Sequence, residues 1–234
     1  MLHKITALIS KIIIIIIIII IIIIIIICRG KCYEQLGDHA TAFKFYERCL
    51  EVDPTHKCHF NKARLHQIRE EYDLAIAHYK KGLMLDPGDY MAHTDLGTSL
   101  SNSGRAEQSL QYFEAALHLR PKFAIAWNNY GTALMALGRN AEGANCIQHA
   151  IELDPSYYDA WFNYAHYTEN TLNDYERARQ FFMKCLVAPH LKDTAQLRIM
   201  LLDEKIAQGK RNRPAEAVKA DKKEPVNFVL GSYV

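Results

Sequence analysis

Three potential metal ligands stand close together in this chain: His56, Cys58 and His59. Only His56 and His59 share helical spacing, so the group reads as polar residues at an exposed helix start, not as a zinc site with convergent ligands. No Walker-type phosphate loop, H-E-x-x-H pair or G-x-S-x-G elbow occurs. The residues therefore call for no catalytic group, no metal and no cofactor. A second set is more regular: Asn61, Asp95, Asn129 and Asn163 follow one another at 34-residue steps. A carboxamide carries both donors and an acceptor, so a row of them can grip the backbone of an extended peptide whatever its side chains. Each such bond contributes about 0.5–1.5 kcal/mol net, so affinity needs several together. Asp95 breaks the row, because an ionised carboxylate only accepts and so favours a basic or N–H-presenting group at that step.

The same period runs through the elements that must carry these residues. Prolines fall at Pro54, Pro87, Pro121, Pro155 and Pro189, with steps of 33, 34, 34 and 34 residues. Five of the seven prolines belong to this series, which makes chance a poor explanation. A fixed period of this size marks a stacked-repeat architecture. The cleanest copy is Pro121 to Pro155, with Trp127, Gly131, Ala150 and Pro155 in places that Trp161, Ala165, Cys185 and Pro189 take up again. Small residues recur at Gly30, Ala63, Gly97, Gly131 and Ala165, and again at Ala42, Ala75, Ser109, Gly143 and Ala178. Two helices can cross closely only at such positions. Between them Tyr46, Tyr79, Phe113, Ile147 and Phe182 supply bulk. Gly37, Gly104, Gly138 and Asn173 stand where a first helix ends and the chain turns through positive φ; Glu70 departs from that pattern. Each closing proline lacks an N–H and stops the second helix.

This pattern resembles the tetratricopeptide repeat, a 34-residue helix–turn–helix unit, over roughly residues 28 to 190. The resemblance implies an all-α fold: a right-handed α-solenoid of about five repeats, in which each helix pair relies on its neighbours for a core. It also implies that Asn61, Asp95, Asn129 and Asn163 line the inner groove, with Arg64, Thr98, Thr132 and His166 beside them. The row is similar to the asparagine ladder in the repeat domain of O-linked N-acetylglucosamine transferases. The carboxylate clamp of co-chaperones does not fit this register. Asn61 matches it, but Ile27, Lys31, Met91 and Asp95 stand where other groups are needed, and Asp95 would repel a carboxylate. If buried, Trp127 and Trp161 would each cost about 3–5 kcal/mol on truncation to alanine.

Ahead of the repeats lies a tract of sixteen isoleucines, Ile12 to Ile27. As a helix it measures about 24 Å, short of a hydrocarbon core of roughly 30 Å. Ala7, Leu8, Ile9 and Cys28 extend it, and Lys11 can snorkel. Three readings stand: a membrane helix through residues 5–27, a packing segment in which Ile23 to Ile27 begin the first repeat, or a compositional accident with no evolved role. Ile26, Ile27 and Cys28 offer no small-residue cleavage site. Lysine and arginine are slightly richer on the repeat side, which places the repeats in the cytoplasm if the helix spans.

Residues 191–209 read as a capping helix with an apolar stripe of Leu197, Met200, Leu201 and Ile206, and residues 210–234 as a disordered tail. With 28 basic and 26 acidic residues, the net charge of +2 gives no pull toward nucleic acid. Six cysteines without a C-x-x-C pair suit a reducing, cytosolic setting, with Cys49 and Cys185 acting as small core residues. The expected function is a non-enzymatic adaptor that takes a protein partner, as an extended peptide or a helix, in the groove. The alternatives are a membrane-tethered assembly factor, or the substrate-reading arm of a glycosyltransferase whose catalytic part this sequence does not contain.

Overall fold

The computed structural model describes residues 2–211; the rest of the expected tail, 212–234, lies outside the described residues. Eleven α-helices and no strand occur among the described residues. The first is the long α1 (Leu2–Gln35), followed by α2 (His39–Val52), α3 (His56–Ile68), α4 (Tyr72–Leu85), α5 (Tyr90–Asn102) and α6 (Ala106–Leu119). Then come α7 (Ala124–Ala136), α8 (Asn140–Leu153), α9 (Tyr158–Asn170), α10 (Tyr175–Cys185) and α11 (Lys192–Arg211). The chain divides into two compact units, one ending at Asn163 and the other beginning at Tyr164.

Local chemistry sets the helix ends. The carboxylate of Asp38 accepts the Thr41 N–H, Asp89 accepts those of Met91 and Ala92, and Asp174 accepts that of Arg177, so each caps the helix that follows. Gly37, Gly104 and Gly138 take φ of 77°, 79° and 80° at the expected turns, and Asn173 takes 53°. Glu70 takes 60° in the remaining turn. The turn geometry is thus imposed there on a residue that dislikes it, because α3 and α4 must still fold back on each other.

Packing follows the small–large pattern. Every position of the two small series is buried, and Tyr46, Tyr79, Phe113, Ile147 and Phe182 between them are at most 1% exposed. The crossing of α7 and α8 brings backbone against backbone: a Cβ at Gly131 would stand 2.6 Å from the Gly143 carbonyl oxygen. In unit 1, α1 packs on α2, α3 on α4, α5 on α6 and α7 on α8. The second helices α2, α4 and α6 also pack on α3, α5 and α7, the first helices of the next repeats. In unit 2, α11 packs on α10, and Lys205 Nζ lies 2.8 Å from Oε1 of the buried Glu169.

Three expectations need correction, and for the isoleucine tract the packing reading holds in part. Cys49 is buried as expected, but it forms a disulfide with Cys58, so the cysteines no longer argue for a reducing compartment. Trp127 and Trp161 are only half-buried, their indole N–H groups donating to the carbonyls of Pro121 and Pro155 at 2.7 and 3.1 Å; truncation then costs less than a core residue would. The buried side of α11 is Ala195 and Leu202, flanked by the half-buried Ile199 and Ile206, whereas Leu197, Met200 and Leu201 face outward. That helix also continues through Gly209 to Arg211. The isoleucine tract is divided: Ile23 and Ile27 pack against Cys49 and Cys58, whereas Ile12 to Ile22 are exposed.

Candidate peptide-binding face

In unit 1 the first helices of successive repeats touch directly, α3 on α5 and α5 on α7. This makes one face out of equivalent positions, and the 34-residue row lies on it. Asn61 is buried, and Asp95, Asn129 and Asn163 are half-buried. The Asn129 amide donates to Thr98 Oγ1 of the preceding repeat at 3.1 Å. The Asn163 amide donates to Asn128 Oδ1 at 2.9 Å, and Asn128 in turn donates to Asn129 Oδ1 at 3.0 Å. The C-terminal part of the row is therefore linked across repeats, Asn163 to Asn129 through Asn128 and Asn129 to Thr98. Asn128, buried one residue before the row, was not expected there. The Asn128–Asn129 dipeptide was the available signal, and nothing in the period distinguishes its two members.

The row changes character at its N-terminal end. Arg64 donates to both oxygens of Glu34 at 2.8 Å and reaches Asn61 Oδ1 at 3.5 Å. Tyr46 donates to Glu34 at 2.9 Å. Burial opposes ionisation of Glu34, but the bonds and charge of Arg64 outweigh it and hold the carboxyl below its usual range. The bond to Glu34 likewise raises the Arg64 guanidinium. Arg64 is thus largely committed, a pairing that sequence spacing could not reveal because Glu34 lies 30 residues away. Thr98 and Thr132 donate to backbone carbonyls of their own helices, both at 2.9 Å, and Thr98 also accepts from Asn129.

Asp95 is the exception. Burial pushes its carboxyl up to about 6, against the opposing influence of Arg64 and of the Tyr79 hydroxyl. The Tyr79 hydroxyl lies between Asp95 and Gln67 Oε1, the latter at 3.0 Å, and no cation among the described residues forms an ion pair with Asp95. Above about pH 6 this group only accepts; below it, the protonated acid also donates. His166, expected beside the row, belongs to unit 2. There its ring meets Phe182 edge-on at 5.2 Å, and burial, helped by Arg198, lowers its affinity for a proton.

The His56, Cys58 and His59 cluster does not converge. Cys58 is taken by Cys49, His56 Nε2 lies 3.6 Å from Asp86, and His59 Nδ1 lies 3.0 Å from His78 Nδ1. Among the described residues no group of three or more such side chains could hold a metal ion.

Helix pairs in a row, with a shared face of polar side chains and no assembled reaction centre on it, define an all-α repeat solenoid of the protein-interaction class. Tetratricopeptide-repeat models match residues 29–56, 56–89, 94–144 and 146–180, and the chain belongs to that family. A stretch of 62 residues is 39% identical to Hsp70-Hsp90 organizing protein 2 of Arabidopsis thaliana; it covers 26% of this chain and 11% of that protein. The structure is similar to that of pilF from Pseudomonas aeruginosa, with a TM-score of 0.68, 20% identity, and coverage of 81% of this chain and 86% of that one. It is also similar to YrrB, described as a repeat protein with an unusual peptide-binding site: TM-score 0.54, 20% identity, coverage 73% and 90%. At such identities the likeness is one of fold.

Proposed function

We propose that this protein is an adaptor whose first-helix face in unit 1 binds an extended peptide or a partner helix, with Asn61, Asp95, Asn129 and Asn163 as its contacts. The observation that carries this reading is Asp95: a half-buried carboxylate without an ion-pair partner, in the middle of a row of amides. A charge so placed costs stability, and a lysine, arginine or N–H group from a partner would compensate it. When the face is empty Asn61 is held by Arg64, and Asn129 by Thr98 and Asn128; these amides can exchange those bonds for bonds to a peptide backbone at small net cost. Selection from a random peptide library should enrich lysine or arginine at one position, and Asp95→Asn should abolish that enrichment. If Asn129→Ala with Asn163→Ala leaves the affinity of selected peptides unchanged, the face is not the binding site.

A second reading is membrane tethering through α1. Its support is that Ile12 to Ile22 are each between 38% and 56% exposed, with no favoured side. A run this apolar does not stay in water, and a helix long and apolar enough to span includes it. Retention in the membrane pellet after carbonate extraction tests it; release into the supernatant would exclude it.

A further inference from the structure

We propose that the edge of unit 1 from which α1 emerges is seated on the bilayer, so that the repeats are held against the membrane and do not swing from it. This rests on the tethering reading. Helix α1 is continuous from Leu2 to Gln35, and its second half is the first helix of repeat 1, fastened through Ile23 and Ile27 to Cys49 and Cys58. No flexible linker separates the span from the repeats, so the orientation of one fixes the other.

Depth then decides how close they come. Ile12 to Ile22 rise about 17 Å, well short of a hydrocarbon core of roughly 30 Å. Extending the span past Lys11 would draw an ammonium into the bilayer, at about 2.5–3.5 kcal/mol near its centre. Extending it the other way draws in Ile24 and Ile25, both exposed, and brings the end of α2 to the interface. The second direction costs less if the edge is itself apolar.

It is. The edge consists of the last turns of α2, α4 and α6 and the first turns of α3, α5 and α7. Their proximity is fixed by His56–Asp86 at 3.6 Å and by Arg120 donating to the Tyr90 hydroxyl at 2.8 Å. On it Val52, Met84, Leu85, Met91, Leu119 and Ile125 are exposed, Met84 to 82%. The charged groups beside them nearly balance: Lys57, Arg120 and Lys122 against Asp53, Asp86, Asp89 and Glu51, the last paired with Arg48 at 3.0 Å. That balance suits a zwitterionic surface more than an anionic one. The opposite edge exposes Leu36, Ile68 and Leu74 among Glu70, Asp73, Arg105 and Glu142. A second copy of the chain is a poorer occupant for the projecting helix, because an isoleucine homopolymer specifies no register.

The test uses the full chain in phosphatidylcholine liposomes, with Cys28, Cys32 and Cys146 replaced by serine. An environment-sensitive label is placed by Met84→Cys or, on the opposite edge, by Leu74→Cys. Brominated lipid should quench the label at 84 about twofold or more over that at 74. Equal, weak quenching in protein that floats with the liposomes would overturn the seating and leave the tether standing. Failure to float would overturn both. Quenching at neither site, together with cross-links between copies, would assign the edge to self-association instead.

Discussion

The two halves of α1 share one backbone and largely one residue type, yet they meet opposite fates. Ile23 and Ile27 are buried against Cys49 and Cys58, and Ile16 to Ile18, two turns away, are half exposed on every side. Neither propensity nor hydrophobicity distinguishes them. What differs is the company: α2 and α3 run beside the second half only, and burial in a solenoid comes from neighbouring helices.

Charge should break this comparison most sharply. Ile27→Asp puts a carboxylate among Ile23, Cys49 and Cys58 and should lower the unfolding free energy by about 3–5 kcal/mol. Ile16→Asp should stay within about 0.5 kcal/mol of the parent, as a site outside the packed repeats. Urea unfolding followed by circular dichroism, with both variants in the same micelles, checks this; equal losses would mean that the whole helix is packed.

The polar row sharpens the same lesson, since there the neighbours bury a charge. Asp95 is raised from 3.8 to about 6, so the folded state binds this proton more tightly than the unfolded chain does. Its contribution favours folding below about pH 4 and is lost as pH rises through 6. Asp95→Asn should therefore stabilise the repeats by roughly 2 kcal/mol at neutral pH, with the advantage gone in acid. An unchanged midpoint at pH 7 would mean that solvent already reaches the group.

A smaller loss is expected where one helix backbone meets another. Gly131→Ala forces a methyl group to within 2.6 Å of the Gly143 carbonyl oxygen, and separating α7 from α8 should cost about 1–3 kcal/mol. The same measurement on Gly88→Ala, whose nearest neighbour lies at 3.6 Å, should show almost none of it.

The smallest effect comes from the histidines of repeat 2. His59 and His78 share a contact at 3.0 Å, where burial and nearby lysines disfavour protonation, His78 being lowered to about 4. Both groups bind protons less readily when folded, so their contribution is present above about 6.5 and fades as pH falls toward 4. This slope is opposite to that of Asp95. The double variant His59→Gln with His78→Gln should flatten it in urea midpoints measured between pH 7 and 4; an unaltered slope would assign the acid sensitivity elsewhere.

Much of the fold was legible because the repeat writes the same steric demand five times. Gly131 and Gly143 announce a close crossing, Ile147 the bulk beside it, and Gly138 the turn. Less of the binding face was legible. The row at Asn61, Asp95, Asn129 and Asn163 follows from the period, but its state does not. That Arg64 is engaged by Glu34, and that Asn128 links Asn129 to Asn163, are contacts 30 and 35 residues apart in which no periodic signal resides. The outward turn of Leu197, Met200 and Leu201 escaped for a related reason: α11 has apolar residues on more than one side, and only its packing chooses among them.

By itself the amino-acid order determined the helix pairs, their turns and the small-against-large contacts, because those are local steric requirements repeated at a constant interval. Only the tertiary structure decided which isoleucines are covered, which cysteines meet, and that Asp95 lies in a medium poor enough in water to hold its proton to about pH 6. Burial and dielectric depend on what stands alongside, and a chain read one residue at a time does not carry that information.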